Sequence, residues 1–264
     1  MPPKPLDHAA LVVVSPKLWS TYAVFNANAF PEDLSSIVES CSLRLGMLVA
    51  LSTSLSLEVE REWQILEAEL HADRGGLLDS VLRSEVPIVA YADGLQYLGT
   101  LYSYLATVKS FLDVYALLIG KTIGRNLTWT FKKGRVAQDD ISGGSIVNWL
   151  HRSAPKTLIS SRILAEAIER HSRSWITETV HYRDTISHYS EIPRMRHLSV
   201  PLRRFRPIFD RSERILPALP NGKELPHYAT DTLEKIRNLV VDTIAHLPSI
   251  NMDQIHPDRL LQQR

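Results

Sequence analysis

Apolar residues along this chain recur mostly at steps of three and four, the spacing that turns one side of an α-helix toward a core. After Pro31, Asp33 has the chemistry of an N-cap, and Leu34, Ile37, Val38, Cys41, Leu45 and Leu48 open a stripe. It resumes through Val59, Trp63, Leu66 and Leu70, and Gly75-Gly76 stops it. A second helix is predicted over about 93–121, where Leu95, Leu98, Leu101, Leu105, Val108, Leu112 and Tyr115 follow without a proline and Gly120 ends the run. A third begins near Ser160-Ser161 and carries Leu164, Ala167, Ile168, Trp175, Ile176 and Val180 on to residue 188. A fourth is predicted from Asp231, with Glu234 completing a capping box. Its apolar face is Leu233, Ile236, Val240, Ile244 and Leu247, ahead of Pro248.

Prolines at 193, 201, 207, 217, 220 and 226 exclude continuous helix from 193 to 227, and Pro220-Asn221-Gly222-Lys223 reads as a hairpin-type turn. Leu11–Val14, Tyr22–Phe25 and Thr128–Phe131 have strand composition but are short. The expected fold class is all-α, a helical bundle of four main helices with an irregular, hairpin-bearing excursion at about 191–227. Residues 1–32 read as an N-terminal extension and 33–264 as the helical domain.

Composition changes this picture little. Hydrophobic residues make up 44% of the 264 positions and charged residues 22%, the balance of an ordinary globular chain. Thirty Lys and Arg nearly cancel 29 Asp and Glu, so a nucleic-acid or membrane signal has to come from local clustering. The single cysteine, Cys41, forms no internal disulfide and reads as a small buried hydrophobe. Trp63, Trp129, Trp149 and Trp175 read as core or interface anchors. No apolar window reaches the roughly 20 residues of a membrane span. A cytoplasmic protein without membrane association is the expectation.

The chemistry-bearing segment is Tyr182-Arg183-Asp184-Thr185-Ile186-Ser187-His188-Tyr189, at the end of the third helix. Arg183 offers a planar fork for a phosphate, and His188 is the side chain that moves protons near neutral pH. Among 21 arginines and 10 histidines, this is the only Arg followed by His after four intervening residues. On an ideal helix five residues turn about 500°, which leaves Arg183 and His188 about 140° apart. Either the helix deforms near His188 or the two side chains converge across a dimer cleft. His181 and Asp184 share a stripe with His188, with Glu178 beside it.

Arg, a polar residue, a short gap and His on a helix preceded by a leucine-rich helix resembles the signature of the HEPN superfamily. Lys109-Ser110-Phe111-Leu112-Asp113 on the preceding helix is also similar to what some branches carry. The resemblance covers residues 33–190 and the last helix, and it implies a HEPN-like bundle. For many members it further implies a metal-independent endoribonuclease of toxin or phage-defence type, built as a homodimer, with RNA as substrate and an antitoxin as a possible partner protein. Carried onto this chain, the catalytic residues are Arg183 and His188, with Asp184 in support. The expected products are a 2′,3′-cyclic phosphate and a 5′-hydroxyl. Some branches are non-catalytic, which leaves a binding or scaffold module as the other reading.

The segment from Arg194 to Arg214 holds seven arginines against Asp210 and Glu213, with Phe205 and Phe209 interleaved. That mixture suits backbone neutralisation and base stacking, so Arg194, Arg196, Arg203, Arg204 and Arg206 are the candidate RNA-binding residues. No HExxH pattern or Cys/His cluster accompanies His181, Asp184 and His188, and neither a metal nor another cofactor is expected. A P-loop, a GxGxxG run and a GxSxG elbow are all missing from the chain.

Overall fold

The computed structural model of the chain describes residues 34–72, 76, 83, 88–123, 146–147, 161–189, 191–202, 214–244 and 246–247. The described fold is mostly helical with one small antiparallel sheet. Its elements are α1 (Ser35–Ala72), β1 (Ile88–Tyr91), α2 (Leu95–Ile123), α3 (Ser161–His171), a π-turn (Ser172–Ile176), α4 (Thr177–Tyr189), β2 (Ser199–Leu202) and α5 (Leu225–Ile244). The predicted third helix is therefore α3, π-turn and α4 in one continuous run. The proposed cap at Asp33 and the three short strand candidates lie outside the described residues.

The two long helices bury seams with a repeat of 3.5 residues. Along α1 and the residue before it one buried row is Leu34, Val38, Cys41, Leu45, Leu48, Ser52, Leu55, Val59, Glu62 and Leu66, alternating steps of four and three, with Ser42, Val49, Trp63 and Leu70 buried beside it. On α2 the corresponding row is Tyr97, Leu101, Tyr104, Val108, Phe111, Tyr115, Leu118 and Thr122, with Leu105, Thr107, Ala116 and Ile119 buried beside it. This is the knob spacing of coiled-coil packing. The expected α2 face is corrected at Leu95, which is 73% exposed, while Leu101, Leu105, Val108 and Tyr115 are buried as expected and Tyr97, Tyr104 and Phe111 join them. Aromatic rings bury more area than leucine, and two of the buried hydroxyls find partners that leucine has no use for. Tyr104 donates to the Ala229 carbonyl at 2.7 Å, and Tyr115 shares a hydrogen bond with Thr243. The helix also continues through Gly120 to Ile123 rather than ending at the glycine.

The fourth predicted helix starts six residues earlier than expected, at Leu225. Pro226 sits in its first turn, where a missing N–H costs nothing. Asp231 is consequently inside the helix and pairs with Lys223 instead of capping. Pro220–Lys223 does form the turn: Gly222 takes φ +82°, and its N–H reaches the Leu219 carbonyl at 2.8 Å.

The chain divides into two compact units. The first draws on Met1–Val49, Thr107–Val180 and Leu233–Arg264. Within it Arg44 of α1 donates to Ser110 of α2 at 2.7 Å, Tyr115 of α2 meets Thr243 of α5, and His171 of α3 meets Asp242 of α5 at 2.9 Å. These cross-links frame a four-helix core.

The second unit draws on Ala50–Ala106 and His181–Thr232. Here β1 and β2 pair antiparallel, with Ile88 opposite Leu202 and Tyr91 opposite Ser199. Single bridges extend the pairing from Ser199 to Ile215, from Arg196 to Ala218 and from Ala218 to Glu224. The predicted excursion is thus threaded onto a strand, β1, that the sequence reading did not find. Arg214 pairs with Glu60 at 3.0 Å and lies over the Trp63 ring at 5.5 Å, and Tyr182 meets Tyr228 edge-on at 6.2 Å.

Candidate functional site

The motif helix is set up by the π-turn that precedes it. Buried positions run Leu164, Ile168, His171, Trp175, Thr179, Tyr182 and Thr185. From His171 to Thr179 that is eight residues in two steps, which on a straight α-helix overshoots two turns by about 80°. The π-turn at Ser172–Ile176 takes up the extra residue and returns the face to phase. Its only buried side chain is Trp175.

Beyond it α4 is regular through Tyr189, so the deformation that would bring Arg183 toward His188 is absent. Each side chain keeps its own azimuth, about 140° from the other. Tyr182 and Thr185 face inward, while His181, Ser187 and His188 are exposed and Arg183 and Asp184 are half-buried. Arg183 donates from Nη1 to Oδ1 of Asp184 at 2.6 Å. Asp184 therefore holds the arginine. Thr185 and Ser187 return their hydroxyls to the carbonyls of His181 and Arg183, at 2.8 and 3.0 Å.

Of the five candidate RNA-binding arginines, Arg203, Arg204 and Arg206 lie outside the described residues. Arg194 is exposed, with φ +62°, a left-handed conformation uncommon for a side chain of this size. Arg196 is exposed too, but its Nε is already committed to the Leu216 carbonyl at 2.9 Å. Lys109 and Asp113 pair with each other one turn apart on α2.

The chain matches no family model, no curated protein and no solved structure.

Among the described residues no group of three or more His, Cys, Asp or Glu is arranged to hold a metal ion. By length and composition alone, α1 and the span Leu95–Thr122 of α2 are apolar enough to cross a membrane, although the sequence reading found no such window. Half of the α2 window and 39% of the α1 window are buried inside the fold.

Two polar groupings escaped the sequence reading. The first is Glu62, 5% exposed on the α1 seam. Burial pushes its carboxyl above the ordinary range, and the neighbouring charges of Asp93 and Glu58 push the same way against Arg61. Close by, Tyr97 contacts His197 at 3.4 Å, and His197 contacts Glu191 at 3.1 Å. The available signal was the heptad itself, which puts a carboxylate on a core position. The second is His171, bonded on both ring nitrogens to Trp175 and Asp242. Burial alone would raise the Asp242 carboxyl. Hydrogen bonds and charge from His171 and Arg170 more than offset this and leave it below the ordinary value.

Proposed function

We propose that this is a HEPN-like, metal-independent endoribonuclease, cytoplasmic and homodimeric, of the toxin or phage-defence kind. One observation carries the reading: His188 is exposed and Arg183 half-exposed on a regular helix, and Asp184 aligns the guanidinium. Because the two side chains diverge on one helix, the reaction needs a second copy to complete the site. His188 of one protomer takes the proton from a ribose 2′-hydroxyl as its oxygen attacks the adjacent phosphorus. Water gives a proton to the departing 5′ oxygen, and the arginine that serves this site comes from the second copy. Arg183 grips the non-bridging oxygens as charge builds on them. The products are a 2′,3′-cyclic phosphate and a 5′-hydroxyl, and no cofactor takes part. Arg194 and Arg196 extend the basic surface toward RNA, and an antitoxin partner would act by covering this face.

The test is cleavage of structured and unstructured RNAs in EDTA by wild type and His188→Ala, with product ends identified. Cutting by wild type alone to cyclic phosphate ends is expected. Equal cutting by both removes His188 from the mechanism.

A non-catalytic binding module is the second reading. It is favoured by the exposed apolar side chains of α1: Leu43 at 58%, Met47 at 46%, Leu57 at 65% and Ile65 at 46%. Absence of cutting on every RNA, together with loss of self-association in Leu57→Glu, would select it.

A further inference from the structure

His171 is 7% exposed and sits at the junction of α3 and the π-turn, with both ring nitrogens engaged. The Trp175 Nε1–H donates to its Nδ1 at 3.1 Å. An indole N–H can only donate, so Nδ1 carries no proton. The neutral ring must then hold its proton on Nε2, which faces Oδ2 of Asp242 at 2.9 Å. Tautomer and orientation are both fixed, one from within the helical run and one from α5.

We propose that His171 is a charge-gated clamp: neutral, it anchors the π-turn through Trp175, and on taking a second proton it releases that indole. The second proton can enter only at Nδ1, where it would set N–H against N–H. Among the described residues the charged groups that meet this imidazole are few. Asp242 comes from α5, and Arg170, from its own helix, donates to the same Asp242 oxygen at 2.7 Å. No titratable side chain of α1 or α2 bonds to it. Asp242 supplies the carboxylate that a charged ring would keep, whereas the Trp175 N–H stands at the one nitrogen left for a second proton. Once the proton is taken, the carboxylate keeps the ring and Trp175 loses its hydrogen-bond acceptor, His171 Nδ1. The π-turn is then held by backbone, by Ser174, whose hydroxyl reaches the His171 carbonyl at 3.3 Å, and by Thr177, whose hydroxyl reaches the Ser172 carbonyl at 2.8 Å. Trp175 and Asp242 thus act on His171 in opposite directions, and that opposition distinguishes a gate from a static packing contact.

Heteronuclear NMR on the full chain tests this, with the Trp175 indole signal assigned through Trp175→Phe. The titration runs from about pH 8 to about pH 5, where an ordinary imidazole titrates. Indole N–H exchange at Trp175 should accelerate about tenfold with the same midpoint as the His171 ring shifts. Trp175→Phe should raise that midpoint and Asp242→Asn should lower it. The proposal is overturned if the indole stays protected after His171 becomes charged. It is equally overturned if His171 stays neutral until the chain unfolds, or if Trp175→Phe leaves its midpoint unmoved. The wild-type titration decides even where a variant fails to fold.

Discussion

The Arg183 guanidinium and the Asp184 carboxylate meet at 2.6 Å, side by side in sequence and in space, so the motif's cation is already paired. Under the proposed function, a phosphate would have to compete with that carboxylate or share the guanidinium with it. Both side chains are partly open to solvent, at 36% and 45%, which keeps the pair's contribution to folding small.

Asp184→Asn should therefore bind RNA more tightly and cut it more slowly. Affinity is expected to rise a few-fold and the salt dependence to steepen by about one phosphate contact. The cutting rate should fall because the fork is no longer aimed. Anisotropy and single-turnover cleavage in EDTA separate the two effects. Weaker binding by the variant would mean that Asp184 recruits RNA instead of orienting Arg183.

The divergence of Arg183 and His188 makes a prediction about mixing. Arg183→Ala and His188→Ala should each be inactive yet folded, since surface substitutions of this kind shift stability by about 0.5 kcal/mol or less. If each site takes Arg183 from one copy and His188 from the other, mixed dimers contain one intact site. Co-refolding equal amounts should then restore about a quarter of wild-type activity, by random pairing. A mixture that stays dead would put both residues of a site on the same chain.

Gly94 and Gly222 have similar positive φ but different surroundings. A Cβ at Gly94 (φ +70°) would lie 2.5 Å from the Tyr97 hydroxyl oxygen, whereas at Gly222 (φ +82°) nothing stands within 4 Å. Gly222→Ala should cost about 1 kcal/mol from the backbone alone, and Gly94→Ala roughly 2–3 kcal/mol because Tyr97 must also move. Urea unfolding of both variants reads the difference. Equal costs would show that Tyr97 yields freely.

Asp242 gives the fold an acid limit with a definite sign. Its folded pKa is depressed, so its contribution is complete above the unfolded carboxyl's value of about 3.9 and is lost as pH falls through the lower folded value. The stability gap between wild type and Asp242→Asn should shrink below about pH 4. A gap that stays the same down to the lowest pH at which both remain folded would assign the loss to packing.

The sequence showed the helices more readily than what they bury. Their positions came from three- and four-step spacing, and the motif helix emerged where Leu164 through Val180 placed it. The stripes were less legible, because Leu95 was counted as core while, of the α2 tyrosines, only Tyr115 was. Tyr97, Tyr104 and Tyr115 hold the α2 seam, while Leu95 faces solvent. The start of α5 was missed because proline was read as a break, although at Pro226 it opens a helix. β1 went unseen because four residues, Ile88–Tyr91, become a strand only through a partner more than a hundred positions away. The motif was legible by residue type. The π-turn went unread, because the polar residues that mark it, His171 and Thr179, are known to be buried only from the structure, and its side-chain partner Asp242 is contributed by another helix.

Cys41 is fully enclosed on the α1 seam, and burial, partly countered by the Arg44 charge, pushes its thiol up to about 12. At neutral pH roughly one molecule in a hundred thousand carries a thiolate there. The chain has no other cysteine, so it is chemically blank toward maleimides and thiosulfonates. A cysteine introduced at the exposed Ser187 becomes the sole reactive handle, one residue from His188. A spin label attached there turns the separation of two motifs in an assembled pair into a directly measured dipolar frequency.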